Sequence, residues 1–223
     1  MNVPATRRVL ILFVLLVTSF GMFACKEGGC GKSAEVPKTP AARVEQMTAH
    51  VPAKADTVAV ISDLGQMRET VTLLKNRLPN TGVVESVQKQ FQKQFGIDLL
   101  DAESWKRAGL AADSSAVVAI HRSRVILLLY VEDKQAFEKI LTEKAKAAFG
   151  IEAPTKAEKI GEHQMKVLSD DPARQIAWTY AGKLALVTMP ATTTAGALEE
   201  GSATLVLAEI ADQKKETSIW AEK

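Results

Sequence analysis

Side chains suited to chemistry are sparse in this chain of 223 residues, which contains three histidines and two cysteines. Histidine is the first to weigh, because imidazole titrates near neutrality and ligates metals through either ring nitrogen. His50, His121 and His163 are too far apart in sequence to form a helical metal-binding pair. His50 precedes the folded domain, His121 lies in a strand-connecting turn and His163 starts a strand, so all three read as solvated surface histidines. No metal ligand and no cofactor-binding residue is assigned. Serine nucleophiles need a shaped turn and a base, yet no Gly-x-Ser-x-Gly elbow occurs and no Ser-x-x-Lys comes with partner motifs. Ser104 falls in a capped helical turn, where its hydroxyl is expected to serve local hydrogen bonds. The adjacent carboxylates Asp170-Asp171 read as a turn before Pro172, and Glu199-Glu200 as part of a solvated helical segment. Trp105, Trp178 and Trp220 could line a ligand cleft, although with aromatics at 5% the first two are expected in the core. Gly31-Lys32-Ser33 ends like a phosphate-binding loop, but Lys26 stands where the first glycine belongs, and no strand or helix flanks it. No catalytic residue is assigned.

The residue with a definite expected modification is Cys25. Arg7 and Arg8 precede Val9–Phe23, a mostly apolar run of fifteen residues closed by Ala24-Cys25. That is the layout of a secretory signal, and the run is short of the roughly 20 apolar residues a membrane span needs. Met22-Phe23-Ala24-Cys25 resembles a bacterial lipobox, which implies that residues 1–24 are removed and Cys25 is lipidated as the new N-terminus. The alternative is an uncleaved single-pass anchor. From Lys26 to about Pro40 the chain carries Gly28, Gly29, Gly31, Pro37 and Pro40 without apolar periodicity. Such a composition predicts a flexible spacer, so residues 25–50 read as a tether with a short helix at Ala41–Ala49. Cys30 lies inside it, as a free thiol if Cys25 is lipidated and as its disulfide partner if not.

Charge narrows the partners. The chain has 28 Lys plus Arg and 26 Asp plus Glu; without Arg7 and Arg8 the signs balance at 26 each. That balance argues against nucleic acid or an anionic lipid surface as the main partner.

The elements that would position any site come from residues 51–223, read as a single domain. Thr57–Ile61 is a compact β-branched run and reads as a buried strand. Asp63 caps a helix carrying Met67, Val71, Leu74 and Leu78, which Pro79 stops. Val84, Val87, Phe91 and Phe95 form the apolar face of a second helix ending at Gly96. Asp101 opens a helical turn through Trp105 that ends near Gly109. Ala116–Ile120 and Val125–Val131 are strands, and the second lacks alternation, so both of its faces should be covered. The connection at Arg122-Ser123 has the length of a tight hairpin but not its usual residues. Asp133 caps a helix to Phe149, with Phe137, Ile140, Leu141, Ala145 and Ala148 on one face and Gly150 closing it. A loop with Pro154 leads to strands near Gln164–Leu168, Gln175–Tyr180 and Leu184–Met189. Ile176, Trp178 and Tyr180 alternate as on a strand with one covered face. A helix covers part of 191–212, and Thr217–Trp220 begins another strand. The class is α+β: a mainly antiparallel sheet with helices packed mostly on one face, complete or as one half of a duplicated architecture.

Val51-Pro-Ala-Lys-Ala-Asp-Thr-Val-Ala-Val60, Gly96-Ile-Asp98, Asp101-Ala-Glu-Ser-Trp105, Tyr130-Val-Glu-Asp133 and Ala181-Gly182-Lys183-Leu184 together resemble a large bacterial family of exported proteins of unknown function whose domain opens with Leu-Pro-Ala-Asp-Thr. The resemblance covers about residues 51–190 and implies a fold and a location, without an active site. The functional expectation is a lipid-anchored cell-envelope protein, facing the periplasm or the cell surface with the outer membrane favoured. It would meet the membrane through lipid on Cys25 and an envelope protein through a non-enzymatic interaction or structural module. An envelope hydrolase assembled from distant residues and a carrier of an apolar ligand are the alternatives.

Overall fold

The structure is a computed structural model that describes residues 36–77, 82, 84–86, 88–89, 92, 96–152, 154–160, 163–169, 171, 174–191 and 203–212. Its elements in chain order are α1 (Pro40–Thr48), β1 (Thr57–Ile61), α2 (Leu64–Arg77), α3 (Ala102–Arg107), β2 (Ala116–His121), β3 (Arg124–Tyr130), α4 (Lys134–Phe149), β4 (Lys156–Ile160), β5 (His163–Leu168), β6 (Ile176–Ala181), β7 (Leu184–Pro190) and α5 (Ala203–Ala211). The second helix expected from the sequence is described only in part, ending at a left-handed Gly96 whose N–H donates to Gln92 O.

All seven strands join one sheet in the order β1-β2-β3-β7-β6-β5-β4, antiparallel throughout. The first three strands and the last four are two meanders, sewn together where β3 pairs with β7 from Arg124↔Pro190 to Tyr130↔Leu184. α4 carries the chain from the centre of the sheet to its far edge. The α+β class and the antiparallel sheet read from the sequence are therefore observed.

The unalternating run Val125–Val131 explains the layering. Leu127, Leu129 and Val131 share one face with Ile176, Trp178, Ala185 and Val187, beneath α2, α3 and α4. Ile126, Leu128 and Tyr130 share the other with Val117, Ala119, Met165 and Leu186, beneath α1 and α5. A strand apolar on both sides demands a layer on each.

Local chemistry places each helix as the sequence indicates. Asp133 Oδ1 accepts from Gln135 N at 2.9 Å and Ala136 N at 3.1 Å, and Gly150 closes α4 in the left-handed region. Asp101 caps α3 through Glu103 N, and Ser104 Oγ accepts locally from Asp98 N at 2.9 Å. Gly109 has φ 74°, and its carbonyl accepts from both Glu132 N and Asp133 N. A Cβ there would collide with the Asp133 carbonyl, so this close approach of α3 to the start of α4 requires glycine.

Three expectations are corrected, and the hairpin length expected between β2 and β3 is met despite its residue types. The folded unit begins before Val51, because α1 is no part of a tether: Met47 and Val51 are fully buried under it, and Arg43 and Gln46 bond to the sheet side. β1 is an edge strand with half-buried valines, not a buried one. Residues 156–160, expected in a loop, form the other edge. The β2–β3 connection is a tight hairpin with Arg122 at φ 48° and Ser123 at φ 59°, a mirror-image turn imposed by the strands on residues that rarely adopt it. The strand expected at Thr217–Trp220 lies outside the described residues.

Phe137 is 5% exposed and packs in the core that contains Leu129 and Val131. Phe137→Ala should therefore lower unfolding free energy by about 3–5 kcal/mol. Chemical denaturation checks this, and a loss below about 1 kcal/mol would mean that α4 does not pack as described.

Candidate functional site

One register sets up the most elaborate polar cluster among the described residues. Trp178 and Tyr180, two apart on β6, point to the α4 face, and Lys166 is the cross-strand partner of Trp178 on β5. Glu138, in the second turn of α4, projects onto all three. Its Oε2 accepts from Lys166 Nζ at 2.5 Å; its Oε1 accepts from Tyr180 OH at 3.0 Å and from the Trp178 indole N–H at 3.4 Å. One turn earlier on the same helix face, Lys134 Nζ lies 4.4 Å from the centre of the Tyr180 ring, a cation–π contact.

Burial alone would raise the Glu138 carboxyl, but the bonds from Lys166, Trp178 and Tyr180 outweigh it and hold the group below its ordinary value. Burial, and then the charge of Glu138, pushes the Tyr180 phenol well above its ordinary value. Glu138 thus stays ionised and Tyr180 stays protonated around neutral pH. Neither is tuned to exchange a proton there, as a general acid or base must be.

The cluster borders an open cleft of about 270 Å³ between α4 and the β4 edge, lined by Glu138, Thr142, Thr155, Lys156, Lys166 and Trp178. Its volume is just below the lower limit for small-molecule sites, and its mostly apolar walls carry a few hydroxyls, ammonium groups and one fixed carboxylate. Trp178 is 1% exposed, so it serves the core as expected and also forms part of this floor; Trp105 is a core residue whose indole N–H reaches Leu99 O. Glu138 and Lys166 were not marked by the sequence. Their partners stand 28 to 42 residues away, and the only legible trace was the alternation of Trp178 and Tyr180.

The histidines require a correction. None is a freely solvated side chain: all three meet the last turns of α5. The His50 Nδ1–H donates to Ile210 O at 2.8 Å, and His163 Nε2 lies 2.6 Å from Asp212 Oδ1. His121 is buried, with Nε2 lacking a hydrogen bond and 3.5 Å from Glu209 Oε1, whose other oxygen faces Arg122 at 3.3 Å. At its other end α5 is capped by Gln175 Oε1, which accepts from Ala203 N at 3.0 Å, while Gln175 O accepts from the fully buried Arg124 at 2.8 Å. Between these polar ends Val206, Leu207 and Ile210 are fully buried. The arrangement fastens a helix; no group of three or more His, Cys, Asp or Glu side chains among the described residues could hold a metal ion. Asp171 is exposed, whereas Cys25, Cys30, Asp170, Glu199, Glu200 and Trp220 lie outside the described residues.

Two measurements follow from these geometries. Glu138→Gln leaves an amide facing Lys166 Nζ and should cost about 1–3 kcal/mol of stability at neutral pH. Because the native carboxyl is lowered, its contribution is present above the ordinary carboxylate range and fades as pH falls through the lowered value, so the two denaturation profiles should converge in acid. For His50, burial lowers the imidazole below its ordinary value, against the opposing effect of the Ile210 bond. The unfolded chain therefore takes the proton first, and stability is lost as pH falls below about 6.5, with a slope of at most about 1.4 kcal/mol per pH unit. His50→Asn keeps a donor for Ile210 without titrating; its stability should fall less than the native chain's between pH 7 and 5, and parallel profiles would contradict this.

No family model, no curated protein and no solved structure matches this chain.

Proposed function

We propose that this chain is an exported, lipid-anchored envelope protein whose folded domain is a non-enzymatic binding module. The order of Arg7-Arg8, the apolar run, Ala24-Cys25 and the Gly- and Pro-bearing spacer supports the anchor. The observation that carries the non-enzymatic reading is the state of Glu138: both oxygens are engaged by donors, so the charge is fixed and available to orient a ligand rather than to transfer a proton. The adjoining cleft, with hydroxyl and ammonium groups on its walls, is where the module would take a small polar ligand or a side chain of an envelope protein.

Intact mass of the membrane-extracted protein tests the anchor. The chain should begin at Cys25 with a diacylglyceryl addition, and Cys25→Ser should stall its processing or release it from membranes. A mature protein that retains Met1 would overturn the proposal.

A further inference from the structure

The two edges of the sheet are built differently. β4 reads Lys-Ala-Glu-Lys-Ile, with Lys156, Ala157 and Lys159 exposed, and charges on an edge discourage pairing with another chain. β1 reads Thr-Val-Ala-Val-Ile, without a charge, proline or glycine, and among the described residues its sole strand neighbour is β2. Its residues have high β-propensity, and among the described residues none of the usual edge protection covers it.

The β1 sequence is also self-complementary. Set antiparallel against a second copy about Ala59, Val58 meets the partner's Val60 and Val60 meets the partner's Val58. Ala59 meets its own counterpart, and Thr57 meets the partner's Ile61. Val58 and Val60 are half-buried and pack against the core beneath α1 and α5, so the cross-strand valine pairs would join the two cores and cover what each leaves open. Beyond the strand, Asp56 falls opposite the partner's Ser62 and Asp63 opposite the partner's Ala55, so no like charges oppose each other. An isologous pairing of this kind closes on itself as a dimer.

We propose that β1 is a homodimerisation edge, through which two copies of this chain form one continuous antiparallel sheet centred on Ala59. In one respect this rests on the lipid anchor proposed above: five-residue strands make a small contact, and confinement to a membrane raises the effective concentration that favours it.

Site-directed cross-linking in isolated membranes tests the register. In a Cys30→Ser background, Ala59→Cys places two thiols directly opposite each other, within disulfide reach. Thr57→Cys places them four residues apart, about 13 Å, out of reach. Mild oxidation should give a disulfide-linked dimer for Ala59→Cys and none for Thr57→Cys. In parallel, the full-length chain in detergent should sediment as a dimer at high concentration. Thr57→Lys, a charge on the edge at a residue outside both cores, should shift it toward monomer with an unchanged circular dichroism spectrum. A native chain monomeric at every concentration, with no more cross-linking at Ala59→Cys than at Thr57→Cys, would overturn the inference. Should Cys25 prove unlipidated while the dimer still forms through Ala59→Cys in a chain that also carries Cys25→Ser, the anchor alone would be lost.

Discussion

The antiparallel register between β3 and β7 is the constraint on which the rest of the structure depends. It joins two meanders that are otherwise separate in sequence and sets which residues of each share a face. Because β3 is apolar on both sides, neither meander can be finished with a single layer of helices, and α1 and α5 must close the side that α2, α3 and α4 leave bare. A one-residue slip would exchange the two faces of half the sheet, sending Ile126 and Leu128 toward α4 and Leu127 and Leu129 toward α5. The Glu138 cluster would be lost with them, since its aromatic members reach α4 only through this alignment of β6 with β7 and β3.

The two polar regions behave differently because their partners differ. Around Glu138 a carboxylate is surrounded by donors from two neighbouring strands, and the charge is stabilised where burial opposes it. Around the end of α5 the polar partners are spread over three connecting regions of the chain: His50 bonds to Ile210 O, His163 meets Asp212 just past the helix, and His121 Nε2 lies near Glu209 without a hydrogen bond. The first arrangement shapes a cleft wall; the second holds an apolar helix in place by its polar ends.

Much of the fold was legible because local signals agreed with the tertiary result. Asp63, Asp101 and Asp133 cap helices, Gly96, Gly109 and Gly150 end or turn them, and the unalternating run at 125–131 required cover on both sides. What was not legible depended on partners distant in sequence. Lys156–Ile160 holds only two apolar residues and becomes a strand because β5 offers it a ladder, and its charges suit an edge. Arg122 and Ser123 adopt positive φ because the paired strands leave only two residues for the turn. The histidines looked solvated because nothing near them in sequence showed that residues 209–212 would come to rest beside them. Glu138 carried no local mark for the same reason: a helix surface glutamate becomes a buried-edge carboxylate only when β5 and β6 arrive.

Arg43 gives α1 a mechanical property. Its Nη1 donates to Pro37 O at 3.3 Å and Lys38 O at 3.2 Å, its Nε donates to Ser115 Oγ at 3.1 Å, and Nη2 lies 3.8 Å from Asp63. Ser115 Oγ in turn donates to Ser62 O at 2.5 Å. A single guanidinium therefore ties the chain entering α1 to Ser115 and, through it, to Ser62, the residues that flank the paired ends of β2 and β1, so the start of the helix is fastened to the sheet through one side chain.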